Sequence, residues 1–276
     1  MATSGMRQLD APVSRPDSTD VSPCTPNTIC STYNAADKIE RHLRADGHRI
    51  WGFVVYRCTY TSDRDWDLCV QRIHSAVRKG MDVYNGRDLL QEGCFKLTVI
   101  ADASMFDGAS TRAVRQHFQD WCARIVHEEQ GSPREIRGRQ HKPPPGDWLL
   151  PVRYRFCIQI NEASMRSFIP EQGEPWVKII KSDWDPSEAR TQRRQPPNET
   201  GLGRTVEMCE HDNDHEGDFT DDNEEEEYPD MEGCKEEDVG WMKVQLTGLM
   251  PDMYADLRSP NLWDIQYIRP PDMPEF

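Results

Sequence analysis

No apolar run in this chain approaches the ~18–20 residues that cross a bilayer. Residues 51–56, interrupted only by Gly52, form one of the longest. A membrane-spanning helix is therefore not expected. The opening Met-Ala-Thr-Ser-Gly-Met-Arg-Gln-Leu-Asp has no apolar stretch of the kind a secretory leader carries, so a cytoplasmic or nuclear protein is expected. Enzyme signatures are also missing: GxSxG, HExxH, a GxxxxGK phosphate loop, and GxGxxG after a strand. Gly201-Leu202-Gly203 is a fragment of the last, with no strand before it. Among nine cysteines there is no Cys-x-x-Cys, the number is odd and the chain is long, which argues against a disulfide scaffold. Cys58 and Cys157 fall in strand patterns and Cys69 and Cys122 on helix stripes, where reduced thiols pack as small apolar groups.

What the chain has in excess is acid, and the excess is local. The net charge is −15 over 276 residues, with 33 Lys+Arg against 48 Asp+Glu. Residues 207–238 hold 17 acidic residues and one basic residue, Lys235, leaving 32 basic and 31 acidic residues elsewhere. Asp221-Asp222-Asn223-Glu224-Glu225-Glu226-Glu227 sets like charges side by side, with few apolar groups to offset the entropy of ordering. A disordered acidic insertion is expected over residues 185–238, including the loose Gln192-Arg193-Arg194-Gln195-Pro196-Pro197 stretch that precedes the acids. Residues 1–33, with Pro12, Pro16, Pro23 and Pro26 among Ser, Thr and Asp, are expected to form a disordered tail.

The remaining residues, 34–184 and 239–276, suit a single domain. Asn34 caps a helix through Leu43 that stops at Gly47, and residues 50–60 read as the first strand. Asp63 caps a helix carrying Trp66, Val70, Ile73 and Val77, and a strand follows over residues 95–101. Ser110 opens the longest helix, with Val114, Phe118, Trp121, Cys122 and Ile125 on one stripe before Gly131 and Pro133. Strands at residues 154–160, 176–180 and 241–246, and helices at 162–168 and 251–257, complete the order, Pro251 sitting in a first helical turn. Several strands alternate in polarity. The expected class is α+β: a mixed or antiparallel sheet covered by helices on one face, ferredoxin-like in spirit.

Gly52-Phe53-Val54-Val55-Tyr56-Arg57-Cys58-Thr59-Tyr60, Glu232-Gly233-Cys234, Asp238-Val239-Gly240-Trp241-Met242-Lys243-Val244 and Leu249-Met250-Pro251 carry a resemblance. The chain resembles, from about residue 51 to its end, a large group of paralogous hypothetical proteins of filamentous ascomycete fungi. The resemblance implies a cytosolic or nuclear fungal protein and transfers no catalytic residue. It leads one to expect an Asp-Glu pair after the third strand, where this chain has Asn161-Glu162.

Candidate chemistry is sparse. Cys209, His211 and His215 offer three donors of a zinc kind, but structural zinc takes four from a folding unit and these lie in the acidic run, so no metal is assigned. Asp212, Asp214 and Glu216 start a calcium-loop pattern whose twelfth position is Asn223 rather than Glu. Asp63, Asp65 and Asp67 read as carboxylates complementing a helix dipole. Asp102 and Glu162, at strand ends, are the only carboxylates placed on a catalytic shortlist, and each reads equally as a cap. His74 and His117 read as boundary histidines. No catalytic residue and no cofactor is assigned.

Residues 52–56 resemble half of an RNA-recognition strand but lack the preceding basic residue and a partner motif, and read as an ordinary core strand. Arg134, Arg137, Arg139, Lys142, Arg153 and Arg155 against Glu135 and Asp147 make a basic stretch, for which the acidic insertion would compete with nucleic acid. Two functional classes follow. The first is a non-enzymatic interaction protein whose polyanionic loop docks a basic partner or its own basic segment. The alternative is a small-molecule enzyme or binder, such as an accessory protein of fungal metabolism, with Trp66, Trp121, Trp176 and Trp241 lining a pocket between helices and sheet.

Overall fold

The computed structural model describes residues 34–91, 93–140, 151–170, 172–185, 228–259 and 261–273. The expected N-terminal tail, most of the acidic insertion, and Cys209, His211 and His215 lie outside these residues. The chain divides into two units, Met1–Asp183 with Gly240–Phe276, and Trp184–Val239.

The first unit is the α+β body. Helix α1 (Ala35–Asp46) is capped by Asn34, whose side chain accepts from Asp37 N, and stops at Gly47. Gly47 has φ +68, and an added Cβ would lie 2.2 Å from the Ile136 carbonyl oxygen, so only glycine fits that turn. Strand β1 (Val54–Arg57) leads to α2 (Asp63–Val83), whose buried Trp66, Cys69, Ile73, Val77 and Met81 recur at helical spacing. Ser62, not Asp63, caps it by accepting from Asp65 N. Gly80 lets this helix approach the C-terminal segment, where a Cβ would meet Pro251 at 2.5 Å.

Strand β2 (Thr98–Ile100) is followed by α3 (Ala103–Phe106), α4 (Thr111–Gln130) and α5 (Pro133–Arg139). Gly131 ends α4 as expected, but Pro133 opens another helix. Ser132 and Glu135 form a capping box around it, the signature of a start rather than a stop. Next come α6 (Val152–Arg155), β3 (Phe156–Ile160), α7 (Glu162–Ser167), β4 (Trp176–Lys181) and β5 (Trp241–Gln245). After β5, short helical turns follow at Leu246–Gly248, Leu249–Met253 and Tyr254–Asp256. Met250 is extended (φ −144, ψ 135), as sterics require of a residue preceding proline.

The sheet is mixed, in the order β2-β1-β3-β4-β5. β1 pairs in parallel with β2 and β3, whereas β3–β4 and β4–β5 are antiparallel. Val55, Ile158, Ile179 and Met242 share one face and enter the main core beneath α1 and α2. Tyr56 and Gln159 face the other way and meet α4 through His117, Phe118 and Thr111. The α+β class with a mixed sheet therefore holds, while the cover is extended: helices lie on both faces. The reason is topological. The chain moves from β1 to β2 on one side, then hops back over β1 to β3. With crossovers of one hand, that reversal sends the second connecting helix to the opposite face. The resulting order is not that of a ferredoxin-like sheet.

In the second unit, Met231 and Cys234 exchange backbone hydrogen bonds across Glu232 and Gly233, both with positive φ. Asp230 accepts from Gly233 N. The expectation of disorder through residue 238 is corrected at this end. A Glu-Gly pair admits the left-handed backbone of a two-residue hairpin, and an aspartate holds it.

Candidate functional site

The reversal at β1 places β2 and β3 on either side of it, all three parallel. In open sheets, the crevice at the carboxyl ends of strands flanking such a point is where ligands bind. Arg57 ends β1 there and is 8% exposed. Its Nε donates to the Thr59 carbonyl oxygen at 3.0 Å, and Nη2 donates to Asp63 Oδ1 at 2.5 Å. Its guanidinium carbon lies 4.4 Å from the centre of the Tyr60 ring and 5.2 Å from that of Trp66. A guanidinium carries five donors; those two bonds are the ones Arg57 makes among the described residues. Tyr60 Oη is shielded from solvent and has no hydrogen-bond partner. Burial raises the Tyr60 pKa; Arg57 opposes that, while Cys58, Asp102 and Asp107 add to it. The hydroxyl therefore stays protonated.

On the sheet's second face, near the same end, the polar groups close on themselves. Lys178 Nζ donates to Thr111 Oγ1 at 2.7 Å, Thr111 to Gln159 Oε1 at 3.3 Å, and Gln159 Nε2 to the Ala109 carbonyl at 2.8 Å. Lys178 Nζ also sits 3.7 Å above the Trp241 ring. Burial pushes the neighbouring Cys58 thiol up to about 11, against a hydrogen bond from Gln159.

The amino ends of the strands hold a second arginine, in another condition. Arg153 is 1% exposed and uses all five donors: Glu129 twice (2.7 and 2.8 Å), the Gly52 and Lys96 carbonyls (both 2.8 Å) and Thr98 Oγ1 (2.7 Å). Glu129 also accepts from Lys96 Nζ at 2.9 Å and Tyr154 Oη at 3.0 Å. Burial alone would raise its pKa; Arg153 and then Lys96 outweigh that and hold it down at about 2. This network ties α6 and α4 to β2 and to the residues leading into β1, and leaves no donor for a ligand.

The shortlisted carboxylates serve as structure. Asp102 accepts from Ser104 N and Oγ, which lowers its pKa, and Glu162 pairs with Arg166 one helical turn on. Asn161 caps α7 through Ser164 N at 2.9 Å. An aspartate at this position would cap the helix in the same way. His117 Nδ1 bonds Tyr56 Oη at 2.9 Å. His74 lies edge-on to Phe95, and burial, with Arg78, lowers its pKa. The rings of Phe53 and Tyr56 are fully buried, as an ordinary core strand requires.

The basic stretch does not form one patch: Arg153 and Arg155 are buried, Arg139 binds the Gly47 carbonyl, and Arg134 and Arg137 are exposed. The four tryptophans do not share a cleft. Trp66 packs in the core under α2, Trp121 stacks on Phe118 and Tyr154, and Trp176 and Trp241 carry Lys243 and Lys178 on the other face. Trp66 lies in the main core on one face of the sheet and the other three on the second, where Trp176 and Trp241 sit at opposite ends of the β4–β5 ladder. Cys58, Cys69, Cys94, Cys122 and Cys157 form no disulfide, and among the described residues no group of three or more His, Cys, Asp or Glu is arranged to hold a metal. No helix there is long and apolar enough to cross a membrane.

The last notable feature is the neck of the insertion. β4 and β5 are antiparallel neighbours, with Ile180 opposite Trp241. Lys181 N donates to the Gly240 carbonyl at 3.0 Å, so the chain leaves and rejoins the sheet across one hydrogen bond. Arg115 of α4 clasps both sides, donating from Nε to the Lys181 carbonyl (3.0 Å) and from Nη2 to the Gly240 carbonyl (2.9 Å). Gln119 adds a bond to the Ser182 carbonyl at 2.6 Å. No family model, curated protein or solved structure matches the chain.

Arg57 and Tyr60, missed in the sequence reading, had one signal: an arginine closing an otherwise apolar strand, just before a Thr-Tyr-Thr-Ser run. Arg153 and Glu129 had none, since their meeting depends on the strand order.

Proposed function

We propose that this chain is a non-enzymatic interaction protein whose folded body presents the polyanionic segment, residues 207–238, to basic protein partners. The observation that carries this reading is the neck. An excursion that starts and ends across a single ladder bond, clasped by Arg115, can be displayed without contributing to the body that holds it. The charge distribution supports the same reading, because the rest of the chain is nearly neutral and its buried ionic groups serve internal networks. Asp102 caps α3 and Glu162 pairs with Arg166, structural roles that support the same reading.

The test is deletion of residues 207–238 from the full chain. The expected variant keeps its cooperative unfolding transition. It also loses at least about tenfold in affinity for protamine or poly-lysine at low salt, where unscreened charges attract over about a Debye length. Equal binding by both proteins would overturn the proposal, and collapse of the fold on deletion would refute the role given to the neck.

A further inference from the structure

We propose that Arg57 and Tyr60 form a binding site for the oxyanion group of a small molecule, a carboxylate or a phosphate, at the carboxyl ends of β1 and β3. Asp63 is the internal anion that the ligand displaces. The site is independent of the acidic segment and of the reading given above.

Three observations converge on it. Arg57 is nine-tenths buried, yet it makes bonds with two of its five donors, whereas Arg153 in α6, just before β3, satisfies all five. Its guanidinium carbon lies 4.4 Å from the Tyr60 ring centre and 5.2 Å from that of Trp66, contacts that use the ring faces and none of its N–H donors. A guanidinium edge matches the spacing of two oxygens of a carboxylate or phosphate. Second, Tyr60 Oη is a shielded hydroxyl without a partner beside this fork, and an orphaned buried donor in a native fold calls for a ligand or water. Third, the position is the crevice at which the strand order reverses.

Asp63 supplies the resting counter-charge. Its carboxylate reaches Arg57 Nη2 while its side chain remains 87% exposed, so it can turn to solvent at little cost when another anion arrives. The other charged groups near Tyr60 are Asp102 and Asp107. Asp102 is held by Ser104. A protonated Tyr60 completes the donor set: two guanidinium nitrogens and one hydroxyl around a single oxyanion.

The experiment is calorimetric titration of the full chain with sodium phosphate and, separately, sodium acetate, at concentrations up to about 50 mM and ionic strength matched with sodium chloride, well above a millimolar Kd. One of the two anions is expected to bind, and which one distinguishes a phosphate from a carboxylate ligand. Tyr60→Phe is expected to weaken binding about tenfold, Arg57→Met to abolish it, and Asp63→Asn to tighten it about tenfold by removing the competitor. No binding of either anion to the native chain or to Asp63→Asn would overturn the site, as would binding unchanged in Arg57→Met. Should Arg57→Met fail to fold, the opposite shifts of Tyr60→Phe and Asp63→Asn decide. Equal affinities in those two variants would equally refute it.

Discussion

Two arginines lie at opposite ends of the same three parallel strands and do different work. At the amino ends, Arg153 is enclosed, paired with Glu129 and hydrogen-bonded through every donor. At the carboxyl ends, Arg57 is also buried but only partly engaged, and its anionic partner faces water. Burial therefore does not distinguish structural from functional charge in this fold. Donor satisfaction does. A saturated guanidinium is a rivet, while an unsaturated one beside an orphaned hydroxyl is a socket.

The sharpest way to break this contrast is Arg153→Met. Removing one member of a buried pair leaves Glu129 charged with only the half-exposed Lys96 as counter-ion, so unfolding free energy should fall by about 3–5 kcal/mol in urea titrations. A loss below about 1 kcal/mol would show that the network does not hold the strand ends. Acid should act on the same point. Because Glu129 titrates at about 2 in the fold, below its ordinary value of 4.5, the unfolded chain takes up its proton first as pH falls. That stabilisation is present above about pH 4.5 and is lost progressively toward pH 2. Urea midpoints for Glu129→Gln should be lower overall and flatter across this window.

Two histidines, His42 in α1 and His48 just after it, extend the comparison into milder conditions. Burial is the main cause that lowers the pKa of both to about 4; nearby Arg258 adds to it in each, and Asp46 opposes it at His48. Below the ordinary value of 6.5, the unfolded chain binds protons that the fold excludes. Stability should therefore fall from about pH 6.5 toward 4, by about 1 kcal/mol per histidine over the first unit. His48→Gln should remove its share. The smallest effect belongs to the other end: Arg57→Met should change stability by less than about 1 kcal/mol, since its ion pair is with an exposed carboxylate. A loss as large as that of Arg153→Met would abolish the distinction.

Much of the body was legible in the sequence because local signals specify it. Asn34, Ser110 and Gly47 punctuate helices through caps, and the spacing from Trp66 to Val77 marks a buried face. All five strands lie within the segments read as strands, apart from a one-residue extension at Lys181. Helix α5 was legible in principle, since Ser132-Pro133-Arg134-Glu135 is a capping box that a proline disguised as a stop. Strand order was not legible. Nothing local says that β2 and β3 flank β1, and that fact alone puts α4 on the second face, separates the tryptophans and scatters the basic stretch. The candidate site shares the limitation: Arg57 looks like a strand residue until its unused donors can be counted.

The clasp made by Arg115 has an evolutionary consequence. Where a polypeptide exits and re-enters at one rung of a ladder, closing a longer detour raises the entropic cost by only about 0.6 kcal/mol per doubling of its length. Sequence at that position is therefore free to drift in extent and composition while the scaffold is kept. New termini could be opened there without disturbing a strand of the sheet.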